Sequence, residues 1–217
     1  TYTSANAVSG WSVSCATYSS CTSNYSWVPG SSEFSIITTP FIYSVMGIIP
    51  HSPLSGTNIA VLNNTTANSH VTRLQRNIQI GSNPVFLQFA IAGIWQNSSH
   101  TCCAQAGISL RLLDSLNNPL PCTTYSFSGS SCQNLGTFTV TSGMTWSNWL
   151  VKAIDLSQYL NSKVTIEVLS RDCGSGDHFG TLYFDFNCET YQIYPPLYPL
   201  TSVYHCTGSD IAHFNGP

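Results

Sequence analysis

Arg171-Asp172-Cys173-Gly174-Ser175-Gly176-Asp177-His178-Phe179-Gly180 leads into Thr181-Leu182-Tyr183-Phe184-Asp185-Phe186-Asn187-Cys188, and the fold is read from this run. Its second half alternates. Leu182, Phe184 and Phe186 fall on one side and Thr181, Tyr183, Asp185 and Asn187 on the other, which is the period of a half-buried strand. Asp185 is therefore expected to point away from the core. The glycines of the first half predict a turn. Upstream, Lys163, Thr165 and Glu167 alternate with Val164, Ile166 and Val168, so a second amphipathic strand is expected to feed the same turn.

Further strands are expected outward from this pair. Glu33 to Thr38, Thr57 to Leu62, Val71 to Ile80, Ile108 to Leu113, Thr137 to Val140 and Leu150 to Ile154 carry strand character. Val85 to Trp95 is the strongest apolar run, and its Val, Phe and Ile content predicts a central strand. Pro40 to Pro53 reads as an apolar loop or edge segment, Asn117 to Gly136 as a polar excursion, and Asp155 to Leu160 as a single helical turn. No stretch has the pattern of a long amphipathic helix. Short strands with turn signals between them predict an all-β, antiparallel two-sheet sandwich over residues 1–188, the first 45 being the least determined.

Beyond Cys188 the composition changes. Tyr191-Gln192-Ile193-Tyr194-Pro195-Pro196-Leu197-Tyr198-Pro199 is expected to be extended, because its prolines remove ladder donors and prevent a helix. Residues 189–217 thus form a tail, and Thr201 to Cys206 has strand character within it. Tyr191, Tyr194, Tyr198, Val203 and Tyr204 are its candidate assembly residues.

Charged residues make up 7% of the 217, far below the roughly 25% of an ordinary soluble domain. Ser, Thr, Asn and Tyr supply the surface instead, and such a surface is expected to associate readily. With six Lys and Arg and a net charge of −3, nucleic acid is not an expected partner. No apolar run reaches the length of a membrane span. Thr1 opens without a leader pattern, as expected of a processed chain or of a segment cut from a larger one.

Nine cysteines without a repeated C-x-x-C ladder point to disulfides, hence to an extracellular or cell-surface setting. Cys15 and Cys21 are close enough to staple a short loop, and Cys122 and Cys132 to close a hairpin. Cys173 and Cys188 either tie the final strand to its turn or reach separate partners. Adjacent Cys102 and Cys103 are expected to bond to two different cysteines. Cys206 is the odd one left over, for another chain or the N-terminal region.

The terminal run, with Asp172, Cys173, Gly176, His178, Phe179, Gly180, Tyr183, Asp185 and Cys188 in order, resembles the β-sandwich domain of large secreted and surface proteins of gliding bacteria. That domain ends in a pattern close to D-C-x-x-G-G-H-F-G-Y-A-Y-I-D-x-x-C. Asp177 stands where the second Gly is usual and Thr181 where the first Tyr is usual. Leu110-Arg111-Leu112-Leu113-Asp114, Pro121-Cys122 and the run from Trp149 to Tyr159 fit the same order, so the likeness covers about Thr57 to Cys188. It implies a jelly roll of the galactose-binding-like type and no catalytic signature.

Several residues invite chemistry. Asp172, Asp177 and Asp185 lie within fourteen positions, and carboxylates with a Gly-rich loop are the usual supply of calcium ligands. Sandwiches resembling this one often hold a structural calcium ion, so a structural calcium is the expected cofactor. The alternative is that Asp172 pairs with Arg171 or caps the turn. His178 beside Asp177 is read as a loop histidine bonded to backbone rather than an acid or base. His100 beside Cys102 and Cys103 offers a zinc set, weighed against their disulfides. Trp11, Trp27, Trp95, Trp146 and Trp149 are either sugar-stacking platforms or core and interface residues.

Together these readings predict a non-enzymatic extracellular protein, an adhesin module or the subunit of a self-assembling surface filament. Its partners would be copies of itself or other surface proteins. The alternative is a carbohydrate-binding module.

Overall fold

The computed structural model describes residues 10–19, 21, 24–43, 47–54, 58–82, 86–128, 138–141, 143–186 and the backbone of 202–204. Strands numbered along the chain form two facing sheets. One runs β10 (Tyr125–Ser128), β9 (Gly107–Leu113), β13 (Lys163–Arg171), β7 (His70–Gln79), β1 (Trp11–Thr17), β2 (Val28–Pro29). The other runs β11 (Thr139–Thr141), β12 (Met144–Asp155), β8 (Phe86–Gln96), β14 (Gly180–Phe186), β6 (Asn58–Leu62), β3 (Phe34–Thr38). β15 (Ser202–Tyr204) adds to β12 in parallel, while every pairing along the two sheet paths is antiparallel. The chain is thus an all-β two-sheet sandwich.

Alternation places the core between the sheets. Val164, Ile166 and Val168 of β13, Leu74 and Ile78 of β7, and Ile108, Leu110 and Leu112 of β9 face Leu87, Phe89 and Ile91 of β8 and Leu182 and Phe184 of β14. Each such side chain contributes about 1.5–3 kcal/mol on burial. Lys152 of β12 is also in this layer, 5% exposed, with Nζ 4.9 Å from the Tyr125 ring centre, and burial lowers its pKa to about 8.

The structure amends several expectations. β1 lies within the first 45 residues, for which no strand before Glu33 is expected, β10 lies inside the polar excursion, and Pro40 to Pro53 contains a hairpin of β4 (Phe41–Tyr43) and β5 (Gly47–Ile49). β12 runs well beyond Leu150 to Ile154, because a bulge between Ser147 and Leu150 lets one strand continue through a change of register. The bulge turns Trp149 to the outer side, where its indole N–H donates to the Pro50 carbonyl at 2.9 Å. Asp185 does point away from the core, yet it is only 7% exposed, because β14 is central and its outer side is covered as well.

Candidate functional site

The outward side of the six-stranded sheet is polar. Strand register sets Arg111 of β9, Glu167 of β13 and Gln75 of β7 in one row across three strands. Arg111 Nε donates to Glu167 Oε1 at 2.6 Å, Gln75 Nε2 donates to Oε2 at 2.8 Å, and Arg73 Nη1 lies 3.7 Å from Oε2. Glu167 is buried beneath these partners, at 2% exposure. Arg73 is further held by the Ser14 hydroxyl, which accepts from its Nε at 2.9 Å. Buried polar groups of this kind are kept only where their hydrogen bonds are made.

Depressions lie on either side of the Glu167 row. A groove of about 250 Å³ is lined by Tyr25, Ser109, Arg111, Ser126, Leu169 and Arg171 among others. The second, about 330 Å³, is lined by Ser12, Gln75, Asn77 and Thr165. Tyr25 is braced from behind: its ring lies 4.9 Å from Trp27 and 6.1 Å from Tyr18. The guanidinium of Arg73 sits 3.9 Å over Trp27 and that of Arg171 5.1 Å over Tyr18. A rigid aromatic beside a row of guanidinium and hydroxyl donors can stack on a pyranose ring and grip its substituents. Four of the chain's six cationic side chains, Arg73, Arg76, Arg111 and Arg171, border these depressions and the Glu167 row.

Of the five tryptophans, Trp27 braces Tyr25 and Trp11 borders the second depression. Trp95 is fully buried, Trp11 packs edge-on against Phe184 and Phe186, and Trp146 and Trp149 join the cluster outside the seven-stranded sheet. Nothing in composition separates them; register does.

The β13–β14 loop is organised around Asp172. Its carboxylate accepts from the Gly180 N–H at 2.8 Å, the His70 N–H at 3.3 Å and Asn63 Nδ2 at 3.4 Å. Full burial pushes its pKa up to about 7 against the pull of these donors. Gly180 is required at this junction, since a Cβ there would stand 2.6 Å from the Arg171 carbonyl. The three aspartates are not gathered into one site. The one group of His, Cys, Asp or Glu residues close enough to share a metal, among the described residues, is His100, Cys173 and His178. Asp172 is turned inward, Asp177 is exposed, and Asp185 stands five residues along β14 from Gly180, roughly 17 Å away at about 3.3 Å per residue. Asp172 bonds to Gly180, His70 and Asn63, the alternative partner Arg171 donating its Nε to the Gln105 carbonyl instead.

The cysteines follow the sheets rather than the sequence spacing. Cys21 is bonded to Cys103, 82 positions away in sequence, and not to Cys15. Cys15 is a free thiol on β1, aligned with Thr72 and Val28. Cys102 and Cys122 are also disulfide-bonded, so the sulfurs beside His100 are oxidised and are not zinc ligands. His100 instead meets Cys173, a buried free thiol, and His178. Cys173 was read from sequence only as a disulfide candidate; the Cys-x4-His spacing across a Gly turn was the missed signal. Cys132, Cys188, Cys206, Tyr191, Tyr194 and Tyr198 lie outside the described residues, as do the side chains of Val203 and Tyr204.

No family model matches the chain, and no curated protein matches it. Among solved structures it is similar to TmCBM61 in complex with β-1,4-galactotriose, at 12% identity and a TM-score of 0.42 over 82% of this chain and 85% of that one. It is also similar to the K1 cleaved adhesin domain of Lys-gingipain from Porphyromonas gingivalis W83, at 10% identity and 0.36 over 70% and 80%. A third is CBM28, a module specific for non-crystalline cellulose, at 11% identity and 0.34 over 72% and 87%. Values this low assign no role to any residue of this chain.

Proposed function

We propose that the chain is a non-enzymatic, extracellular glycan-binding sandwich of adhesin type, which takes an acidic oligosaccharide along the outward side of its six-stranded sheet. The observation that carries this reading is the braced Tyr25 beside Arg111 and Arg171 over the Glu167 row. Tyr25 supplies the stacking surface and Ser109 and Ser126 the hydroxyl partners. The guanidiniums in excess over Glu167 favour a carboxylated or sulfated sugar. Cleavage is not assigned to the groove. Glycoside hydrolysis ordinarily needs two carboxyl groups, and Glu167 is the one in this row, already engaged by two arginines and Gln75. The disulfides at Cys21, Cys102, Cys103 and Cys122 support an oxidising compartment.

The test is titration of the whole chain with oligogalacturonate and with a neutral galactan fragment of the same length. Saturable binding to the acidic ligand is expected, weakened at least about 10-fold by Tyr25→Ala or Arg111→Ala and again by raising salt from 0.05 to about 0.5 M. Equal affinity for the neutral fragment, or affinity indifferent to both substitutions, would overturn the assignment.

Self-assembly is a second reading, favoured by β15, whose residues Ser202, Val203 and Tyr204 align with Lys152, Ala153 and Ile154. A short strand added at a sheet edge can be exchanged for the same strand of a neighbour. Deletion of 190–217 is expected to abolish polymers in non-reduced material and leave the sandwich folded. Polymers that form without these residues would remove this reading.

A further inference from the structure

Two loops that each cross from one sheet to the other meet at one end of the sandwich: 97–106, between β8 and β9, and 172–179, between β13 and β14. The Gly174 N–H donates to the Ala104 carbonyl at 2.8 Å, and Ser175 Oγ lies 2.8 Å from His100 Nε2. The His100 and His178 rings stand edge to face with centres 5.2 Å apart. Cys173 Sγ is 3.5 Å from His178 Nδ1, and one ligand atom from each of the three residues lies within 4.8 Å of the others.

We propose that His100, Cys173 and His178 form a transition-metal site of the zinc class. Sulfur and imidazole nitrogen bound tetrahedrally to one zinc, at about 2.3 and 2.1 Å, stand about 3.6 Å apart, which the Cys173 and His178 atoms already do. The His100 ring has to close by a fraction of an ångström to a little over one. The turn is shaped around the sulfur: the N–H groups of Asp177 and His178 donate to Sγ at 3.3 and 3.2 Å, and the Cys173 N–H donates to the His178 carbonyl at 2.9 Å. Gly176, with φ of +79°, makes the turn tight enough for this. Burial opposes ionisation of Cys173, but donors from Ser175, Asp177 and His178 hold its thiol below the ordinary value. A thiolate with two imidazoles selects zinc or another soft, N/S-preferring ion over calcium or magnesium.

The second loop is fixed as firmly. Cys103 is bonded to Cys21, and Gln105 Nε2 donates to the His100 carbonyl at 2.8 Å. Three protein ligands leave a fourth position on the outer side, beside exposed Ser175, for water or an external donor. On binding, the metal ion replaces the Cys173 thiol proton, which is released to solvent. The site is independent of the glycan reading.

The test uses the full chain, stripped with chelator and titrated with Co²⁺ as a probe for zinc. One equivalent is expected to give tetrahedral ligand-field bands and a sulfur-to-cobalt charge-transfer band, both displaced by Zn²⁺. Cys173→Ser should abolish the charge-transfer band, and His100→Gln, on a surface loop where folding is not at stake, should weaken binding at least about 100-fold. Three results would overturn the proposal: Cys173 in a disulfide on non-reducing peptide mapping of the native chain, no charge-transfer band from a chain whose Cys173 is reduced, or unchanged Co²⁺ affinity in His100→Gln.

Discussion

The outward rows of the two sheets differ sharply. On the six-stranded sheet the row holds Ser12, Arg73, Gln75, Ser109, Arg111, Glu167 and Arg171, open to solvent around one buried carboxylate. On the seven-stranded sheet it holds Ile59, Val61, Ala92, Ile94 and Tyr183, none more than 8% exposed. β8 and β14 are therefore apolar and buried on both sides, whereas β7, β9 and β13 carry polar residues along the outer one. A strand of the first kind serves stability on either side; a strand of the second kind leaves its outer residues free to serve recognition. The asymmetry is why a binding face is assigned to one sheet and none to the other.

Substitutions on the two sides should separate widely. Ile94→Asp places an unpaired carboxylate in the covered layer and is expected to leave the chain unfolded at neutral pH, read by loss of cooperative melting. Next comes Asp172, which joins β13, β14 and β7 where the sheets meet. Its folded pKa of about 7 lies above the unfolded value of about 3.9, so the folded state holds the proton preferentially between them. Stability should fall as pH rises through that window, by as much as about 4 kcal/mol once the group is ionised in both states. Asp172→Asn should flatten that slope; denaturant midpoints at pH 4, 6 and 8 measure it, and an unchanged slope would show that Asp172 is not its source.

On the open side the effects shrink. Glu167→Ala leaves Arg73 and Arg111 without their shared partner, but both reach solvent, so the loss is expected to be about 1–2 kcal/mol in chemical denaturation. Ser126→Ala, at an exposed position lining the groove, should change stability by less than about 0.5 kcal/mol while lowering oligogalacturonate affinity a few-fold. A larger stability loss there than at Ile94 would erase the distinction between the sides.

What the sequence made legible divides along the same line. Clean alternation in Lys163 to Leu169 revealed β13 because one side of it is wet. Val85 to Trp95 could be read as a central strand only through its β-branched and aromatic content, since both of its sides are apolar. β1 was hidden although Trp11, Val13 and Cys15 alternate with Ser12 and Ser14, because serine and cysteine blur the contrast on which the period depends. The Glu167 row was invisible: Gln75, Arg111 and Glu167 are brought together by register between strands distant in sequence. For the same reason Cys21 found Cys103, and His100 found Cys173 and His178. Asp185 points away from the core as its alternation predicts, but its 7% exposure is not legible, because what covers a sheet is not encoded in the strand itself.

The Cys21–Cys103 bond has a mechanical meaning. In the proposed adhesin role, a chain held at one end and loaded at the other would carry tension along its backbone, and a covalent tie would take that load past the residues it encloses. The stretch between these two cysteines, 82 positions apart and equivalent to roughly 290 Å of extended chain at about 3.5 Å per residue, would stay out of the loaded path while the bond lasts. β3, β6, β7 and β8 all lie within the shielded segment. Force would peel away the C-terminal half of each sheet and spare that inner portion. In that role, reduction of this one bond would act as a release, lengthening the chain in one step.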